Sequence, residues 1–508
     1  MGKGSIKRNF LLNSLLTISS FIFPMITFPY ISRVLLPAAI GRVSFATSLV
    51  TYFNLIAQLG IPTYGIRACA QVRDDKLKLT RVVQELLTIN LLMSGLVYLL
   101  FFGLLIFVPQ LQDDRTLYLV MSSAILFNAL GIDWMYQGLE QYAYITKRSI
   151  LFKFLALIMM FAFIHQPKDY IIYGGISIFA ASASNILNFI NARKFIAMQY
   201  VGGYRFKRHF KAIGIFFAMS CATTIYTNLD TVMLKWLMTN TDVGYYNTAV
   251  KVKTILVGVV TSLGAVLLPR ASYYVENHML EDFRRVSKKA INFVMVFAAP
   301  VSLYFILFAK PSIYLVSSGA FAGAIKPMQI IMPTVMLIGI TNILGIQILV
   351  PLGRQKTVMW SEIAGAGVDF LVNWLLIPKY ASAGAAFGTL LAEIVVLIVQ
   401  FVSLRREINI DGSANIFWKN RSGAVGRLRF FFLDFEGWPV LYRAFWQHRG
   451  KSYRSGPILQ SVFCWVRYDP FALQRADGPL YQGPDHGLSA LMALARKTGG
   501  AGPAVLSA

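Results

Sequence analysis

The chain has 508 residues, of which 56% are hydrophobic and 14% charged, with a mean hydropathy of +0.57. That balance excludes an ordinary soluble enzyme and points to a protein that crosses the bilayer many times, since an apolar run of about 20 residues spans the hydrocarbon. A net charge of +25 would suggest nucleic acid in a soluble protein, but here the basic residues sit in alternate loops between apolar runs, where membrane topology accounts for them.

Twelve apolar runs precede residue 405: 10–31, 43–61, 86–108, 117–136, 149–164, 170–190, 213–238, 245–268, 291–308, 328–350, 357–377 and 384–404. The first holds Pro24 and Pro29 with no small-residue cleavage site after it, and is read as a retained helix rather than a signal peptide. Asn13, Thr17, Ser20, Pro24 and Thr27 recur in it at spacings of four and three, which places them on one helical face. The second run repeats the pattern with Ser44, Thr47, Thr51, Asn54 and Gln58. Unpartnered hydroxyls and amides in hydrocarbon cost about 2 to 7 kcal/mol each, so both faces meet either other helices or a water-filled cleft.

Lys3, Lys7 and Arg8 precede the first run; Arg67, Arg73, Lys76, Lys78 and Arg81 follow the second; Lys147 and Arg148 follow the fourth. Later clusters are 193–211, 270–289, Arg354 with Lys356, and Arg405 with Arg406, whereas the intervening loops hold little beyond Arg33, Arg42, Arg115, Lys168, Lys310 and Lys379. The positive-inside rule therefore places the amino terminus and the even-numbered loops in the cytoplasm.

The basic loop divides the runs into an amino-terminal bundle of six helices (1–190), a cytoplasmic linker (191–212) and a carboxyl-terminal bundle of six (213–405). The halves echo each other. Gly41, Ala46, Gly60 and Pro62 in the first correspond to Gly244, Ala249, Gly264 and Pro269 in the second. An even number of spans per half implies a pseudo-two-fold axis along the membrane normal, a transporter's architecture. The seventh run carries Ser220, Thr224, Thr227, Thr231 and Lys235 on one face, and the eighth carries Asn247, Lys251, Thr254, Gly258 and Thr261. Helix contacts alone would explain one or two such faces; equivalent placement in both halves favours a shared central cleft.

Lys251, two turns inside its run on the polar face, is the first candidate for contact with an anionic substrate. Asn54 and Asn247 share these faces, and Lys235 is a second cation on them. Lys253 is rotated by about 200° from Lys251 and is expected to snorkel outward, as is Lys153 near the inner surface. Asp230, one turn after Tyr226, is a candidate for carrying a coupling H⁺ or Na⁺, or for an ion pair. Arg33 and Arg42 sit where an outer gate or the headgroups would lie. Arg67 and Arg270 follow the matching Gly and Pro of each half, at an inner mouth, where ordinary positive-inside placement also explains them. Asp133, Glu362, Asp369 and Glu393 are expected to pair between helices.

No GxxxxGKS or GxxxxGKT phosphate loop and no HExxH motif occurs, and Gly365 with Gly367 lacks a preceding strand. Cys69, Cys221 and Cys464 are far apart and odd in number, which suggests neither a disulfide framework nor a zinc site. The expectation is a chain that is not an enzyme and binds no ATP, metal or other cofactor, apart from a coupling ion.

The segments TFPYISRVL (27–35), LGIPTYGIR (59–67), VRDD (72–75), DWMYQGLEQY (133–142), YTNLDTVML (226–234), VGYYNTAVK (243–251) and ILGIQILVPLG (343–353) resemble the bacterial polysaccharide flippases. These Wzx-like O-antigen repeat-unit transporters belong to the multidrug/oligosaccharidyl-lipid/polysaccharide exporter superfamily, and the resemblance covers roughly 5–419. It implies transfer of an undecaprenyl-pyrophosphate-linked oligosaccharide from the inner to the outer leaflet of the bacterial plasma membrane, around a cavity built from the first, second, seventh and eighth helices. It also implies a polysaccharide polymerase and chain-length proteins as partners. Pyrophosphate needs positive charge in that cavity, which Lys251, Arg33 and Lys235 would supply.

Members of that family usually have about fourteen spans, and two more are not found after residue 419. The segment 421–508 has nine Arg to two Lys, where 1–420 has 17 to 20. From 406 the chain therefore reads as a non-membrane or aberrant tail; a shift of reading frame near Asn420 and a genuine cytoplasmic tail both fit. No role is assigned to Cys464, His448 or His486. A multidrug or small-cation exporter of the same superfamily would favour acids where the stripes carry lysines. A membrane glycosyltransferase or polymerase would need a larger outer loop than any here.

Overall fold

The computed structural model describes residues 6–410, apart from the side chains of 6–11, 13, 14, 263–266, 269, 270, 280 and 405–410. The altered composition after 410, with Cys464, His448 and His486, lies outside the described residues, as do the side chains of Asn13 and Arg270.

Every regular element among the described residues is helical. The first is α1 (Ile6–Gln58), two helical segments joined at Leu36, whose φ of 65° and ψ of 169° break the helix just before Pro37. Proline bars the preceding residue from helical geometry, and its own missing N–H suits the first turn of the second segment. There follow α2 (Ile61–Gln71), α3 (Lys76–Phe107), α4 (Arg115–Gly131), α5 (Asp133–Gly138), α6 (Tyr142–Phe163), α7 (Tyr170–Ile178) and α8 (Asn185–Ala192). Asp75 caps α3 by accepting the N–H groups of Lys78 and Leu77, which holds its carboxyl below the usual range. After a basic loop come α9 (Lys207–Leu237), α10 (Asn240–Glu276), α11 (Leu280–Leu307), α12 (Ala309–Val316), α13 (Ile325–Ile331), α14 (Pro333–Asn342), α15 (Gln355–Tyr380) and α16 (Ser382–Ile410).

Seven of the described helical stretches are long and apolar enough to cross a membrane, or eight if the pair bent by 44° at Pro333 counts as one. The stretch at Leu15–Gln71 covers two of the expected runs. Helices α6, α10 and α15 occupy three further expected runs, and each carries charge within it: Arg148 and Lys153 on α6, Lys251 and Lys253 on α10, Glu362 and Asp369 on α15. Outward-facing Leu92, Leu99, Phe107, Val296, Leu371 and Leu375 are more than 60% exposed, as lipid-facing side chains are.

Contacts fix how the polar helices meet. Residues 21, 28 and 37 of α1 lie against 258, 251 and 244 of α10, while residues 45, 52 and 60 lie against 235, 225 and 217 of α9. The first segment of α1 thus packs on α10, and its second segment on α9.

Candidate functional site

The two halves close on each other at the end away from the basic loops. A Cβ on Gly41 would land on the Asn240 carbonyl, and one on Gly244 on the Pro37 carbonyl, so only glycine permits this backbone approach. Beside them Ser32 Oγ donates to the Val316 carbonyl at 3.1 Å, and Arg33 donates to the carbonyls of Ser317 and Leu315, each at 2.9 Å. Arg33 therefore binds the carboxyl end of α12, where free carbonyls attract a cation. Arg42 pairs with Asp114 at 3.0 Å and lies over the Tyr170 ring.

Nearer the basic end, a cavity of about 170 Å³ is lined by Thr51, Asn54, Leu55, Gln58, Gly60, Pro62, Thr63, Ser220 and Thr224. The stripes expected from the second and seventh runs meet there. Asn54 Oδ1 accepts from Gln58 at 3.1 Å and from Asn128 at 3.2 Å. Asn128 in turn accepts from Asn185, which accepts from the buried Arg148. Arg148 is neutralised by Asp133 at 2.9 Å. Asn128 and Asn185 had no signal in the sequence beyond being polar within apolar runs.

Lys251 stands midway along the interface between the halves. Its Nζ lies 4.3 Å from the Phe28 ring centre and 3.3 Å from the Tyr173 hydroxyl, with no carboxylate bonded to it among the described residues. Lys235 Nζ lies 6.0 Å above Phe45. Asn247 is turned aside, its amide donating to Thr231 at 3.3 Å and to the Val243 carbonyl at 3.0 Å. Arg67 is exposed on α2. Arg270 falls within α10, with its side chain outside the described residues.

Lys253 is half-buried and near enough to Asp369 and Glu393 to act on them electrostatically. Lys153 turns inward to Ser19 and Ser20 at 2.9 and 2.8 Å.

Asp230 is the centre of a second cluster. Only 5% exposed, it accepts hydrogen bonds from Tyr246, from Thr389 at 2.8 Å and from Asn373 at 2.5 Å. Asp369 lies close enough to interact with its carboxylate. Two carboxylates this close repel each other unless a proton or a cation neutralises one of them. Asp369 Oδ1 and Asn373 Oδ1 are buried without partners, and both face the space that a side chain on Gly388 would fill. An all-oxygen set of two carboxylates, an amide and a hydroxyl suits a proton or a hard cation. One turn away Tyr226 donates to Glu393 at 2.6 Å. Helix α9 carries both Asp230 and the cavity residues Ser220 and Thr224, and Tyr52 of α1 donates to its Ile225 carbonyl at 3.4 Å, so the acid cluster and the cavity share one helix.

Two curated proteins, each named "Putative O-antigen transporter", are similar to the chain: one from Escherichia coli (strain K12), 22% identical over 79% of this chain and 97% of its own length, and one from Shigella dysenteriae, 24% identical over 79% and 100%. About a fifth of this chain has no counterpart in either. Among solved structures, the lipid II flippase MurJ in an inward closed conformation matches with a TM-score of 0.63 at 16% identity, over 78% of this chain and 87% of that one. An inward-facing multidrug resistance MATE family transporter of the MOP superfamily matches with a TM-score of 0.56 at 12% identity, over 79% and 95%. At these identities the likeness is one of fold alone, an all-helical one. The family model described as polysaccharide biosynthesis protein matches residues 6–275, more than half the chain, and the chain belongs to that family.

Proposed function

We propose that this chain is a flippase. It carries an undecaprenyl-pyrophosphate-linked oligosaccharide, an O-antigen or capsule repeat unit, from the inner to the outer leaflet of the bacterial plasma membrane, with its amino terminus in the cytoplasm. The observation that carries this reading is the uncompensated Lys251 ammonium at the interface of the two halves, beside hydroxyl and amide stripes that meet in a cavity. The names of the two relatives and the MurJ-like fold support it.

A glycan cannot shed its water into hydrocarbon, so it needs a polar groove, while the lipid tail stays in the bilayer. The phosphates take Lys251, with Lys235 further along. Contacts at Gly41, Gly244 and Arg33 close one end and release as the other closes, which is alternating access. An interior-negative potential drives an anion outward by about 2.3 kcal/mol per charge per 100 mV. The pair Asp230 and Asp369 binds H⁺ or Na⁺, and that binding resets the empty carrier. A polysaccharide polymerase and chain-length proteins act on what it delivers.

Deleting the chain's gene tests this. The deletion strain is expected to lose surface glycan and accumulate lipid-linked oligosaccharide on the inner leaflet; re-expression restores export, and Lys251→Ala at equal expression restores less than about a tenth of it, the loss of one charge-assisted contact. Unchanged surface glycan in the deletion strain would overturn the reading.

A further inference from the structure

Helix α6 carries two cations five residues apart that the fold treats in opposite ways. Arg148 is neutralised by Asp133 and further bonded to Ser184 and Asn185. Lys153, half-buried, has no carboxylate bonded to it among the described residues, and its Nζ donates only to Ser19 Oγ and Ser20 Oγ. Both hydroxyls give their own hydrogens to the Leu16 carbonyl, so they meet the ammonium as acceptors. An ammonium has three N–H groups, and the third has no partner among the described residues. Neutral hydroxyls orient the charge but do not cancel it.

Ser20 belongs to the polar face of α1, whereas the exposed apolar residues Leu15, Ile18, Ile22, Met25 and Ile26 lie on the opposite side of the same helix. On α6 itself the exposed Leu151, Phe154, Leu155 and Ile158 lie on the side away from Lys153, so Lys153 points away from lipid, toward α1, and reaches the exposed Ser20 at the edge of that polar face. Phe28, which lies beneath Lys251, is eight residues beyond Ser20, or about 12 Å along the helix axis. Two uncompensated ammonium groups thus stand at successive depths along one helix.

We infer that Lys153, held by Ser19 and Ser20, is a phosphate-binding station that receives the pyrophosphate of the lipid-linked substrate on the basic-loop side before it reaches Lys251. The inference rests on the flippase reading and adds a residue and a sequence of events to it.

The test uses the full-length protein in nanodiscs, with undecaprenyl pyrophosphate and undecaprenyl alcohol as probes. The wild type is expected to bind the pyrophosphate in preference to the alcohol. Lys153→Gln keeps donors for both serines and removes only the charge; it should bind the pyrophosphate about tenfold more weakly, and Lys153→Arg should regain most of the loss. On the wild type itself, undecaprenyl pyrophosphate and not the alcohol should shield Lys153 from an amine-acylating reagent, read by peptide mass spectrometry. Unchanged binding in Lys153→Gln, or no shielding of a wild type that prefers the pyrophosphate, means Lys153 is only helix glue and overturns the inference alone. A wild type that binds both probes equally overturns the flippase reading together with it.

Discussion

Gly41 and Gly244, at matching positions of the two halves, touch backbone to backbone at one end of the interface. Neither has room for a Cβ, so the sequence repeat that pairs them marks where the two halves close. Substituting Gly244→Val should oppose that closure by about 1 to 3 kcal/mol, the range for overpacking, and shift the population toward the open form by about fivefold or more. A cysteine placed at Asn247 should then label faster with an impermeant thiol reagent than the same cysteine beside an intact Gly244. Equal rates would show that the contact does not gate.

Asp230 and Asp369 make a separate prediction about coupling. Asp230→Asn retains partners for Tyr246, Thr389 and Asn373 but removes the charge that a cation or proton needs, so the protein should fold and lose its response to an ion gradient. Flipping in proteoliposomes, with Na⁺ replaced by choline or with a protonophore, measures this. Asp230→Ala instead strands those buried partners and should lower stability by about 1 to 3 kcal/mol, read as a lower thermal midpoint.

The stripes were legible because a spacing of three and four is a property of one helix, visible without partners. Thr51, Asn54, Gln58, Ser220 and Thr224 accordingly line one cavity. The partners of Asp230 were not legible, since Asn373 and Thr389 lie 143 and 159 residues further on and no local pattern links such positions. The direction of a lysine was equally hidden: Lys153 and Lys253 read as residues that reach for the surface, and what they do depends on which neighbour covers that face of the helix. Arg33 was visible as a cation near an outer gate. That it would bond the carbonyls of Leu315 and Ser317 depended on the end of α12, far along the chain.

Arg148 is a structural cation, and its loss should be felt in folding before transport. Its side chain is 4% exposed and its carboxylate partner, Asp133, is 39% exposed. Removing one member of a buried pair leaves a charge without compensation, but water reaches Asp133, so Arg148→Met should destabilise by about 3 kcal/mol, the low end for buried pairs. Asp133→Asn strands the more buried partner and should be at least as damaging. Denaturant titration in detergent orders the two variants, and a smaller effect for Asp133→Asn would contradict the pairing.

The cavity predicts which positions meet water. Single cysteines at Thr51 and Thr224, in a background lacking the native cysteines, line the cavity and should react with a water-soluble thiol reagent. Native Cys69 is buried, so it should stay unreactive because the reagent cannot reach it. Cys69 therefore serves as the internal standard. A substrate that fills the cavity should slow labelling at Thr51 and Thr224 together, because both stripes face one space, whereas two unrelated surface positions would respond separately. Protection at one position without the other would mean that the second and seventh runs do not share a cleft, and the assignment of Lys251 to a substrate path would go with it.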